Sequence, residues 1–183
     1  MFQSSKNRSK SREIRAVPPL DAAALDRLAL RYVERFATTR RRLSEYLMRK
    51  IRERGWDGPP ADPIALAEKL AELGYIDDRA FGEARAAAMG RRGLGKRRVT
   101  GALQQAGLVE EDREAIVPAV EDRALETAMA FARRRRIGPF ASVRAERPER
   151  EKQIAAMIRG GHDFTLARRI AALGPGEALE MGE

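Results

Sequence analysis

The sequence predicts an all-α protein built from three tandem three-helix repeats, and three observations lead there. Apolar residues recur at helical spacing through most of the chain, and no stretch alternates with period two for long enough to form a strand. A basic helical run ends in an apolar residue, three more residues and a glycine at Ile51 to Gly55, Leu103 to Gly107 and Met157 to Gly161. These glycines lie 52 and 54 positions apart, a period that suits one small helical unit per repeat. The stripe Leu66, Leu70 and Leu73 also returns one hundred residues later as Leu166, Ile170 and Leu173.

Residues 1–20 hold Lys6, Arg8, Lys10, Arg12 and Arg15 among serines and end near Pro18 and Pro19, with too few apolar side chains to repay ordering, so a disordered basic tail is expected. The first unit, residues 21–75, opens with Asp21 as N-cap and Leu25, Leu28, Tyr32 and Phe36 on one helical face. Thr38 or Thr39 caps its second helix, whose inward stripe is Leu43, Leu47 and Ile51 and whose stop is Gly55. Asp62 before Pro63 starts its third helix, with Leu66, Leu70 and Leu73 inward.

The second unit, residues 76–121, is expected to turn Phe81, Ala84 and Ala88 inward, then Val99 and Leu103 on a helix from about Lys96 to Ala106. Its last helix carries Ile116 and Val120, with Pro118 between them removing a backbone donor and expected to kink or delay it. The third unit, residues 122–174, places Leu125, Met129 and Ala132 inward, runs to Arg133–Arg136, and crosses a longer loop around Gly138-Pro139-Phe140. Ile154, Met157 and Ile158 form its second helix and Leu166 onward its third; residues 175–183 are a C-terminal tail.

Thirty-six Lys and Arg against 27 Asp and Glu give +9, with the excess at both ends of the chain and a net acidic middle. Such a balance suits a phosphate backbone or an acidic protein groove. The absence of cysteine excludes disulfides, thiolate metal sites and a cysteine nucleophile. No apolar run spans a bilayer and the N-terminal residues lack a secretory core, so a cytoplasmic protein without membrane association is expected.

Candidate binding residues are the basic runs Arg40, Arg41, Arg42, Arg49 and Lys50; Arg91, Arg92, Lys96, Arg97 and Arg98; and Arg133, Arg134, Arg135 and Arg136. The segment from Gly90 to Arg97 falls one residue short of a phosphate-binding loop: Arg97 stands where a Mg²⁺-holding hydroxyl belongs, and alanine-rich helix precedes it instead of a strand. What remains is a glycine turn feeding a basic helix start, which would offer amides and cations to a phosphate or carboxylate. The pair Asp77 and Asp78 reads as a helix cap rather than an acid–base or metal site. His162, the single histidine, has no triad or zinc partner at suggestive spacing, and Trp56 is expected under the first unit. No cofactor, metal or catalytic residue follows from these residues, and a non-enzymatic binding protein is expected.

Leu73-Gly74-Tyr75-Ile76-Asp77-Asp78, followed by Arg79-Ala80-Phe81, resembles the best-known stretch of the RecX family of bacterial recombinase regulators. Gly93-Leu94-Gly95 with Arg98-Val99 resembles a second segment of that family, and Leu43, Leu47 and Gly55 fit its first unit. Arg133 to Phe140 and Gly161 to Ile170 are similar to versions found in α-proteobacteria. The resemblance covers roughly residues 22–173. It implies an elongated, curved, monomeric helical protein that binds the RecA filament on DNA, with DNA as a second partner, and limits RecA's ATPase, recombinase and co-protease activities. Leu73, Gly74, Tyr75, Asp77, Asp78, Phe81, Gly93 and Gly95 would then be structural, and the arginine-rich helices would bind. The alternative is a general DNA-binding helical protein without a recombinase partner.

Overall fold

The computed structural model describes residues 18–179. Among them are nine α-helices and no sheet: α1 Ala22–Arg35, α2 Arg40–Arg54, α3 Pro63–Glu72, α4 Asp78–Arg91, α5 Lys96–Ala106, α6 Glu110–Glu121, α7 Ala124–Arg135, α8 Arg147–Arg159 and α9 Phe164–Ala172. One isolated parallel bridge joins Leu20 to Trp56. Most residues of the expected basic tail lie outside the described region. At its end, however, Leu20 is fully buried and exchanges backbone bonds with Gly55 and Asp57 across the start of α1, so this end of the segment belongs to the fold.

Local chemistry starts the helices. Asp21, Thr39, Asp62, Asp77 and Asp163 accept first-turn amides of α1, α2, α3, α4 and α9, and Pro63 occupies the first turn of α3. Each such cap contributes about 1 kcal/mol. Pro118 sits inside α6 without ending it; the proline is exposed, where water can satisfy the carbonyl it leaves unpaired.

Three apolar clusters hold the helices together. Leu25, Leu43, Leu47, Leu70 and Ile76 centre the first, with Trp56 against it. Val99, Leu103, Leu108 and Ile116 centre the second, and Phe131, Ile137, Met157 and Ile170 the third. Within them, two faces differ from the sequence expectation. Leu73 is 61% exposed, because α3 ends at Glu72 and the chain turns through Gly74. On α4 the buried residues are Gly82 and Ala86, while Ala84 is exposed. Gly82 presses on Leu108 and Ile116, where a β-carbon would come within 2.6 Å of both, and Phe81 packs partly buried against the same cluster. The C-terminal segment is likewise not a loose tail over its described part. Leu179 packs on the third cluster, Gly176 donates to the Pro139 carbonyl, and Glu177 binds Arg144.

The clusters are joined where α2, α5 and α8 meet end on end. At the start of α2, the Thr39 hydroxyl donates to the carbonyl of Ala106, the last residue of α5, at 2.5 Å. Gly107, with φ +84°, leaves room for the Arg41 side chain. At the start of α5, the amides of Gly95 and Arg97 donate to the carbonyls of Gly160 and Gly161 beyond α8, at 2.9 and 3.1 Å. A side chain on Gly161, φ +94°, would come within 2.6 Å of the Arg98 backbone nitrogen. In both joints the positive end of one helix dipole meets the negative end of the next, and otherwise orphaned backbone groups pair.

Charge and aromatic packing reinforce these joints. Asp78, 4% exposed at its side chain, takes the Arg40 backbone amide and guanidinium, both at 3.0 Å, tying α4 to α2. Asp77 alone caps α4. His162 is buried, donates Nε2–H to the Gly93 carbonyl at 3.0 Å and packs edge-on against Phe131. Burial holds its pKa below the ordinary value, more than the Gly93 bond raises it.

Two outcomes follow for denaturant unfolding. Gly161→Ala, combining positive φ with a backbone clash, should lose about 2 kcal/mol or more, whereas Gly101→Ala, with open space inside α5, should gain about 0.5–1 kcal/mol. Equal effects would contradict the end-on joint. Because the folded-state pKa of His162 is depressed, its neutral form supports folding above the unfolded value near 6.5, and that support is lost as pH falls through the folded value. Wild type should therefore lose stability between pH 7.5 and 5.5 relative to His162→Gln; parallel curves would contradict the assignment.

Candidate binding surface

The first basic run is largely spent within the fold. Arg40 bonds both Asp78 and Glu68, whose carboxylates hold its guanidinium more firmly protonated, and it serves the α2–α4 joint rather than an open face. Arg41 pairs with Glu45, while Arg49 and Lys50 share Glu53 and flank the ring of Tyr46. The Lys50 hydrogen bond lowers the pKa of Glu53. Arg42 has no carboxylate partner and lies 5.1 Å from the ring centre of Phe81.

The second run is different. Arg91, Arg92, Arg97 and Arg98 are exposed and make no ion pair among the described residues, while Lys96 pairs with Glu121. The α5 start does not, however, offer free amides to an anion as the glycine turn suggested. Gly95 and Arg97 spend theirs on the Gly160 and Gly161 carbonyls, leaving the side chains as the cationic feature.

Arg133 to Arg136 end α7. Arg136 adopts the left-handed conformation at φ 54°, Arg133 lies over Phe140 at 4.9 Å and Arg135 over Phe131 at 5.8 Å. The guanidinium of Arg134 donates to the Arg92 carbonyl. That contact brings the second and third runs together, so Arg91, Arg92 and Arg134 form one basic neighbourhood from distant parts of the sequence. These arginines remain exposed, and none pairs with a carboxylate among the described residues.

Two features were not foreseen from the sequence. Arg85 is half-buried on α4, with its Nε lacking a hydrogen-bond partner. Tyr75 donates its backbone amide to the Leu70 carbonyl and leaves its ring 52% exposed. The spacing of Phe81 and Arg85, one helical turn apart, was the available signal for a basic side of α4. The carboxylates Asp77 and Asp78 are both engaged, in a cap and in the Arg40 joint. Among the described residues no helix is long and apolar enough to cross a membrane.

No family model matches the chain. Its curated relatives include the regulatory protein RecX of Agrobacterium fabrum (strain C58 / ATCC 33970), 30% identical over 157 residues and covering 84% of each chain. The regulatory protein RecX of Myxococcus xanthus (strain DK1622) is 27% identical over 163 residues, 82% of this chain and 86% of the relative. That of Halorhodospira halophila (strain DSM 244 / SL1) is 32% identical over 144 residues, 79% and 84%. Identity of 30% over 84% of each chain with the Agrobacterium fabrum relative shows that the chain belongs to the RecX family.

Proposed function

We propose that this protein regulates the RecA recombinase by binding its filament on DNA, and that the effect is inhibitory. Family membership supports RecA as the partner. The observation that carries the binding reading is the set of exposed arginines, Arg91, Arg92, Arg97 and Arg98, left without carboxylates among the described residues, while Arg40, Arg41, Arg49 and Lys50 of the first run and the adjacent Lys96 are paired. An isolated exposed ion pair contributes only about 0–1 kcal/mol, so the distinction concerns availability rather than stability. Unpaired guanidiniums are free to exchange counterions for phosphate or acidic protein surface.

The three helical groups act as tandem units, residues 21–75, 76–121 and 122–174, held in fixed relation by the end-on joints of α2, α5 and α8. A rigid series of units presents its cations at set spacing, which suits a partner that is itself repetitive. Engagement of adjacent filament subunits then gains by effective concentration, and a few molecules suffice to hold many subunits. A monomer acting in the cytoplasm meets these requirements. The bonds fixing the units run from the Thr39 hydroxyl to Ala106 and from the backbone amides of Gly95 and Arg97 to Gly160 and Gly161, whereas the side chains of Arg97 and Arg98 are exposed and are the ones given to DNA.

The rival reading, a general DNA-binding helical protein, shares the same arginines but needs no RecA. Titrating the protein into RecA's DNA-dependent ATPase separates them. Inhibition below one chain per RecA is expected; unchanged hydrolysis at every ratio would sink the proposal. In the same assay Arg97→Glu with Arg98→Glu should weaken binding to a bare oligonucleotide about tenfold and flatten its salt dependence, by about 0.9 per lost phosphate contact, while inhibition persists. Proportional loss of both would favour the DNA-only reading.

A further inference from the structure

Ala84 and Ala88, expected in the core, instead belong to the floor of an open groove. Ala80 and Ala84 are exposed and Ala88 is half-buried, and together they line a depression of about 760 Å³. Ala37 and Thr38 before α2 and Tyr75 before α4 form its walls. Ala80 to Ala88 covers about 12 Å of helix, and its small side chains let another backbone approach closely.

The groove is one-sided in charge. Arg85 and Arg92 line it, and Arg42 stacks on Phe81, another lining residue. None of the three has a carboxylate partner among the described residues, and the Arg85 Nε is shielded from solvent without a hydrogen bond. A buried N–H left unpaired is unfavourable, and a carboxylate that reaches it removes that penalty. The lining carboxylate of Asp77 cannot do so, because it caps α4 through the Ala80 amide at 2.8 Å.

These features select among occupants. An extended peptide would bury unpaired backbone groups, since the helical walls offer no sheet edge to bond them. A helix satisfies its own backbone and can present an apolar face to the alanines. A nucleic-acid backbone has charge to match the arginines but no apolar surface to fill the floor. We infer that the groove receives an acidic amphipathic helix of a protein partner, its carboxylates about seven positions apart to meet Arg85 and Arg92. This deepens the RecA reading by separating a protein-docking groove on α4 from the DNA-directed Arg97 and Arg98, and it rests on that reading only for the partner's identity.

The test needs no RecA. The probe is a fluorescein-labelled helical peptide with Ala and Leu on one face and Glu flanking them at seven-residue spacing, compared with the same composition scrambled. Wild type should bind the patterned peptide at least tenfold more tightly than the scrambled one. Ala84→Trp, which fills the groove at an exposed position, and Arg92→Glu should each abolish that preference. Ala84→Trp should leave affinity for a single-stranded oligonucleotide unchanged. Equal binding of the two peptides by wild type, or undiminished preference in Ala84→Trp, would overturn the groove assignment. So would loss of oligonucleotide rather than peptide binding in that variant, which would mark the groove as a nucleic-acid site. Failure of RecA inhibition with the peptide preference intact would instead count against the RecA reading alone.

Discussion

Carbonyls at the ends of α5 and α8 cap the starts of α2 and α5, and most of the molecule's organisation depends on those bonds. At α5 the cap is entirely backbone: Gly160 and Gly161 accept from Gly95 and Arg97. At α2 a buried threonine hydroxyl spans the gap to Ala106. Each solution satisfies groups that would otherwise be stranded in a dry interface, and each demands glycine where the chains touch. Around each joint sits a second fastening, Asp78 with Arg40 at one and His162 with Gly93 and Phe131 at the other.

The same joints decide which cations are available. Arg40 is held by two carboxylates because it sits at the α2 joint, and Arg134 reaches back to Arg92 because α7 lies against the turn that feeds α5. Arg97 and Arg98, in the first turn of α5, are exposed and make no ion pair among the described residues. The cations open to a partner are thus those the scaffold leaves unpaired. A count of arginines would have ranked Arg40 and Arg97 together; their surroundings separate them.

Much of the helical arrangement was legible because it is written in local chemistry. Caps at Asp21, Asp62 and Asp77, the α5 stripe of Val99 and Leu103, and the terminating glycines at 55, 107 and 161 follow from residue type and spacing. The α4 face was not legible, because its inward position is a glycine and alanines populate both sides; only the long-range press of Leu108 and Ile116 identifies Gly82 as buried. Nor could Asp78 be assigned to Arg40, 38 positions away, or Arg134 to the Arg92 carbonyl, 42 positions away. The basic runs themselves were visible, but their pairing is tertiary information, as is the loss of the α5 amides as an anion site.

Native-state hydrogen exchange at the Gly95 and Arg97 amides reads the central joint directly. These two amides belong to the first turn of a helix, where protection normally fails for want of an intrahelical acceptor. With Gly160 and Gly161 as acceptors, their opening free energies should match those of Val99 and Leu103 in the α5 core, and both should fall together in Gly161→Ala. Exchange at Gly95 and Arg97 as fast as in a frayed helix end, with the α5 core still protected, would show that the groups are not joined in this way.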